Sequence, residues 1–202
     1  VNYFGYSRIY KPIEKMSFSS ERKYSVVALA KLGNFLVGAP EVLLKGDFKK
    51  YSSEINEYAK EGLRVVALTH SLENIDSIIE KGISEPAILD ALILIEDQIR
   101  PDAYETIQYF KENDVDIKII SGDNPVTVSE VARRVGVDRA NEYISLDGMK
   151  DEDVYQIANS YTVFGRVKPE QKKIIVKALK DSGKTVAMTG DGVNDIPALK
   201  EA

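Results

Sequence analysis

Two apolar runs in this chain end in the same three kinds of group: a hydroxyl, a glycine and a carboxylate. One run, IKII, is followed by Ser121, Gly122 and Asp123. The other, TVAM, is followed by Thr189, Gly190, Asp191 and Gly192, with Asn194 and Asp195 close behind. Glycines let backbone N–H groups come close to an anion, and a hydroxyl adds a donor. Carboxylates would repel a bare phosphate, so a cation must lie between them, and hard oxygen ligands favour magnesium. Either loop alone reads equally as a turn. The two together, the second crowding carboxylates and a carboxamide into five residues, point to a phosphate–magnesium site. Lys172 follows Pro169, which opens a helix, and a cation in a helix's first turn works against the dipole unless it serves an anion. A solvated lysine beside Lys173 accounts for it as well.

Such loops act only where a sheet presents them, and in parallel α/β sheets that place is the carboxyl ends of the strands. The second part of the chain has the required alternation. Strands are expected at Ala91–Ile95, Ile117–Ile120, Tyr143–Ser145, Thr162–Phe164 and Thr185–Met188. Helices are expected at Pro101–Asn113, Pro125–Val135, Asp151–Asn159 and Pro169–Asp181, with a last one starting at Pro197. That order implies a parallel, doubly wound sheet. The first part differs. Strands at Tyr24–Lys31 and Asn34–Val37 flank a tight turn at Gly33, Pro40 opens a helical stretch, a helix spans Phe48–Lys60 with Gly62 as its stop, and Leu63–His70 is another strand. This is an α+β layout with an antiparallel sheet. The pattern changes near residue 95, giving parts 1–94 and 95–202.

Composition limits the alternatives. The 202 residues are 44% hydrophobic and 29% charged, ordinary for a chain that buries a core. The net charge of -5 supplies no basic field for nucleic acid. With no cysteine and one histidine, His70, thiolate chemistry and histidine-rich metal sites are excluded. No stretch approaches the roughly 20 apolar residues of a membrane helix. The chain begins without methionine and reads as part of a longer protein.

The motifs, in their order, resemble those of the P-type ATPases. TGDGVNDIPALK (189–200) is close to that family's hinge motif, also present in the wider haloacid dehalogenase superfamily. SGDN (121–124) stands where most members have T-G-D, and FGRVKPEQK (164–172) resembles F-A-R-V-x-P-x-x-K. DQIR (97–100) resembles D-P-P-R without its prolines. FSSERK (18–23), GAPE (38–41) and GLRVVAL (62–68) resemble the nucleotide-domain motifs. The resemblance implies a partial nucleotide-binding domain over 1–94 and, over 95–202, a Rossmann-like, haloacid dehalogenase-type phosphorylation domain. It implies that Phe18 stacks on adenine, that Lys23 and Gly38 line the pocket, and that Arg64 reaches the ATP phosphates. Asp97 and Arg100 would lie at the join of the domains. Ser121, Gly122 and Lys172 would hold the phosphoryl group beside Asp123, and Asp191 would bind magnesium, supported by Asn194 and Asp195. ATP and magnesium are thus the implied ligands. The partners would be the actuator and membrane parts of one pump on the cytoplasmic face of the cell membrane, moving a light cation, calcium being the first choice.

Two departures matter. The family's phosphorylated aspartate, in D-K-T-G-T, is not among these residues, so the expectation is nucleotide binding with slow or no turnover and a sheet lacking its first strand. Val37 replaces the lysine of K-G-A-P-E. A soluble haloacid dehalogenase-type phosphatase with the first part as a cap is the main alternative, though the D-x-D nucleophile motif it would need near the amino terminus is not present there. A non-catalytic nucleotide sensor is a third.

Overall fold

The computed structural model describes residues 10–19, 21–190 and 192–202. They divide into two units, one running to Glu57 and resuming over Val65–Ile95, the other comprising Tyr58–Arg64 and Glu96–Ala202.

In the first unit a five-stranded sheet has the order β1-β2-β3-β4-β5. The strands are β1 Pro12–Met16, β2 Tyr24–Leu29, β3 Gly33–Gly38, β4 Arg64–Ser71 and β5 Ile88–Ile95. The β1–β2, β2–β3 and β3–β4 pairs are antiparallel. Strict alternation in YSVVAL sends Tyr24, Val26 and Ala28 to one face. Tyr24 and Val26 meet Leu36 of β3 and Ala67 of β4, and the core is completed by Leu43 of α1 (Pro40–Leu43), Ile78 of α3 (Ile75–Lys81) and Ile83. The β2–β3 turn uses positive φ at Lys31 and Gly33, as a tight hairpin requires. Helix α2 (Phe48–Lys60) buries Ile55 and Ala59, and Gly62 at φ +75° follows its end.

Strand β5 corrects one expectation. Ala91–Ile95 was expected to open the parallel half; instead the strand begins at Ile88 and extends the first sheet beside β4. Its apolar run finds an edge there, and Leu89 and Leu92 pack against the first unit's core.

In the second unit a three-stranded parallel sheet has the order β6-β8-β7, from β6 Ile119–Ile120, β7 Tyr143–Ser145 and β8 Val163–Gly165. Helices α4 (Ala103–Glu112), α5 (Pro125–Arg134), α6 (Asp151–Ile157), α7 (Pro169–Asp181) and α8 (Ile196–Leu199) accompany it. Helix α7 buries Ile175, Ala178 and Leu179 against Phe164, Leu146 and Val154. The expected strand Thr185–Met188 is absent: the described residues give this segment no ladder partner, although Val186 still packs on the core. A strand without a neighbour cannot pair its backbone groups.

Candidate functional site

The first hydroxyl–glycine–carboxylate loop begins where β6 ends. Ser121 continues the ladder, its N–H donating to Phe164 O at 2.9 Å and its carbonyl accepting from Val167 N at 3.0 Å. Its Oγ accepts the Asp123 N–H at 3.1 Å, which folds the turn. Asn124 then caps α5, its Oδ1 accepting from Val126 N at 2.9 Å, with Pro125 in the first turn. The loop is pinned from the other side by Arg166, whose N–H donates to Asp123 O at 2.8 Å. This close seat requires Gly165, since a Cβ there would stand 2.5 Å from Pro125 N and Cβ. Gly122 is open: a Cβ would meet nothing nearer than Val167 O at 3.9 Å. The result is strand, turn and helix start with exposed backbone at the carboxyl end of a strand.

Lys172 lies in the first turns of α7. The helix start is locked by Gln171, whose Oε1 accepts from Lys168 N at 3.0 Å while its Nε2 reaches Leu146 O and Met149 O, both at 3.3 Å. Lys172 is not a solvated lysine. Its Nζ sits 2.6 Å from Asp195 Oδ1, with the two side chains only 16% and 7% exposed. Lys173, by contrast, is exposed and lies 3.6 Å from Glu201.

Asp195 closes the second loop. It ends a single 3-10 turn, Val193–Asp195, donates its N–H to Gly192 O at 3.0 Å, and accepts from Gly192 N at 3.3 Å. Gly190 packs so close that a Cβ would stand 2.6 Å from Asp195 Cβ. Asn194 is exposed. Asp191, the expected magnesium ligand, lies outside the described residues. The donors at hand are hydroxyls, carboxylates and backbone N–H groups, the set that suits a phosphate and a hard divalent cation.

Arg64 closes the segment 58–64 that groups with this unit, and its Nη2 lies 2.8 Å from Asp123 Oδ1. The structure therefore joins Arg64 with Asp123, and Lys172 with Asp195. It does not bring Asp97 or Arg100 to either loop by any hydrogen bond or ion pair among the described residues. Arg100 instead forms a two-point bond with Asp102, at 3.1 and 2.8 Å. That bond raises the guanidinium pKa and lowers the carboxyl's on an open surface.

In the first unit, Phe18 is 61% exposed, so its ring is not a core residue. The turn after it is tied by Lys23 N–H to Ser19 O at 2.7 Å and by Arg22 Nη2 to Ser17 O at 2.7 Å. Lys23 holds φ +63°, and its carbonyl accepts the Ala39 N–H at 2.9 Å. Gly38 pairs directly with Tyr24, where a Cβ would strike Lys23 O and stand 2.6 Å from Tyr24 Cα. Lys23 and Gly38, 15 residues apart in sequence, thus form one corner. Val37, next to it, points to the open face of the sheet, 37% exposed.

Sequence reasoning missed Gly165 and Gln171. Pro169 with Gln171 two residues on was a legible helix-start signal, whereas Gly165 is fixed by its contact with Pro125, 40 residues away.

The chain resembles known proteins over most of its length. The family model for haloacid dehalogenase-like hydrolases matches residues 18–202. The chain is 43% identical over 195 residues to the probable cation-transporting ATPase exp7 of Streptococcus pneumoniae, covering 96% of this chain and 24% of that protein. It is 42% identical to the calcium-transporting ATPase CtpE of Mycobacterium tuberculosis, covering 92% of this chain and 23% of that protein. It is 33% identical to calcium-transporting ATPase 1 of Schizosaccharomyces pombe, covering 96% and 24%. The chain spans about a quarter of the length of the curated relatives it matches. No helix among the described residues is long and apolar enough to cross a membrane. With its parallel sheet, its two glycine–carboxylate loops and this match, the chain belongs to the haloacid dehalogenase-like hydrolases, as a segment of the P-type ATPase kind.

Proposed function

We propose that this chain is the ATP-handling part of a cation-transporting ATPase, the first unit holding adenosine and the second the phosphoryl group. The observation that carries the reading is the buried Lys172–Asp195 pair at 2.6 Å. Burying two charges is expensive and a poor way to gain stability, so such a pair beside glycine-rich turns favours a functional use.

The roles follow from the groups. Phe18 stacks on adenine, and Lys23 with the Gly38 corner borders it. Arg64 answers the phosphates with a planar fork of donors, exchanging Asp123 for them. Ser121 Oγ and the Gly122 N–H donate to the phosphoryl oxygens, and Lys172 neutralises their charge. Asp191, with Asn194 and Asp195 in support, would hold magnesium through oxygen donors, and the bound ion would offset phosphate charge during transfer. Asp97 and Arg100 belong to the segment that follows β5, at the join of the two parts.

In the whole pump the phosphoryl group passes to an aspartate outside this chain, and the remaining actuator and membrane parts couple that step to cation movement. A position on the cytoplasmic face of the membrane follows from this reading. Calcium is the favoured ion because two of these relatives carry it in their names, at 42% and 33% identity. The 202-residue chain alone binds nucleotide without efficient turnover.

Calorimetric titration with a non-hydrolysable ATP analogue tests the reading. The parent should bind, and Phe18→Ala should weaken binding by about tenfold or more, since a base stacked on an aromatic ring contributes roughly 1–3 kcal/mol. A folded parent that binds nothing would overturn it and bring forward the phosphatase reading.

A further inference from the structure

The chain's one histidine has no part in the roles above. His70 lies on β4, on the face of the five-stranded sheet opposite the core, since its neighbours Thr69 and Ser71 are the buried ones. Its Nδ1 is 2.8 Å from Asp90 Oδ1 of β5, and both side chains are about one-third exposed. It stands opposite Phe35 of β3, with ring centroids 6.3 Å apart and tilted by 48°. One step along the same face Val37 stands opposite Leu68, and the next register pair is Gly38 with Ala67. Gly38 and Ala67 themselves turn to the core, but Val37, the residue before Gly38, lies on the open face and with Leu68 forms an apolar floor that leads to the ring of His70. Along β4, His70 is the next outward residue after Leu68, about 7 Å further on.

We infer that His70, oriented by Asp90, reads the edge of the purine on this face and selects adenine over guanine nucleotides. The inference rests on the nucleotide reading of the first unit. An ionised carboxylate only accepts, so Asp90 places the proton of the neutral ring on Nδ1 and leaves Nε2 as an acceptor. Adenine carries an amine donor at its six position, where guanine carries a carbonyl acceptor. An Nε2 lone pair can accept from the first and is repelled by the second. Asp90 is a positioning residue, since it acts only through the ring. A purely structural cross-strand pair would tie β4 to β5 but would not distinguish bases.

The test is competition binding of non-hydrolysable ATP and GTP analogues to the parent chain, His70→Ala, His70→Phe and Phe18→Ala. The parent should prefer the adenine analogue by about tenfold, one hydrogen bond's worth of discrimination. Both His70 variants should bring the ratio near one, and Phe18→Ala should weaken both analogues. Proton NMR of the parent gives a readout that needs no variant, because the single histidine supplies one assignable set of imidazole signals. They should shift on saturation with the adenine analogue and much less with the guanine analogue. An unchanged ratio in the His70 variants, or imidazole signals indifferent to bound adenine nucleotide, would overturn the role of His70 while leaving nucleotide binding intact. A parent that binds neither analogue would overturn both readings together.

Discussion

The two hydroxyl–glycine–carboxylate loops are near copies in sequence but are built differently. The Ser121 loop leaves a strand with a parallel neighbour, its backbone continues the ladder to Phe164 and Val167, and it enters a ten-residue helix with a capped start. The loop at 189–195 leaves a segment with no ladder among the described residues and enters a single 3-10 turn and a four-residue helix. Its order comes from side chains instead, through Asp195, which Lys172 and Gly192 both engage. The same motif can thus be held by backbone in one place and by charge in another, and the second is the loop more open to adjustment.

The sharpest way to break this contrast is at Gly165. Gly165→Ala pushes a Cβ into backbone and ring atoms of Pro125 at 2.5 Å. It should destabilise the second unit by about 3 kcal/mol in chemical denaturation, because neither backbone can yield cheaply. Next comes the charge-held loop. Lys172→Ala removes the cation facing a buried carboxylate and should cost about 2–3 kcal/mol, while pairing Lys172→Met with Asp195→Asn should recover most of it. A smaller effect separates the loops by pH. The hydrogen bond from Arg133 outweighs the upward push of burial and, with a further one from Arg134, holds the Glu130 carboxyl on α5 at about 2. That lies below the ordinary value near 4.3. A depressed carboxyl stabilises the fold above the unfolded value, so its contribution, on the order of 1 kcal/mol with Arg133 well exposed, should fade as pH drops from about 4.3 to 2. Glu130→Gln should flatten that stretch of the stability–pH curve. The smallest effect belongs to Gly122→Ala, which has room for its methyl and should change stability by less than about 0.5 kcal/mol.

Much of the fold was legible because its punctuation is local. Phe48–Lys60 and Pro169–Asp181 emerge with the bounds read from spacing, since an apolar stripe and a following glycine, and in the second a helix-opening proline, are all near neighbours. Strand β1 was not legible. PIEKM has no buried stripe and becomes a strand only by backbone pairing with β2. Helix α3 was missed although Asn74 caps it and Gly82 ends it, because seven residues give too short a period. The placement of β5 and the loss of a strand at 185–188 depend on which neighbour is available, which no window of sequence contains. The site divides in the same way. Its loops could be read from residue types, but the partnership of Lys172 with Asp195 spans 23 residues and exists only in the fold.

The most direct test of the central claim, that the second unit holds the phosphoryl end of a magnesium nucleotide, is a titration of the parent chain and Lys172→Met with a non-hydrolysable ATP analogue, with and without magnesium. The account predicts that magnesium strengthens binding to the parent and that Lys172→Met, folded and still binding through Phe18, loses most of that gain. Binding to the parent that is indifferent to magnesium, or a gain untouched by the loss of Lys172, would contradict it.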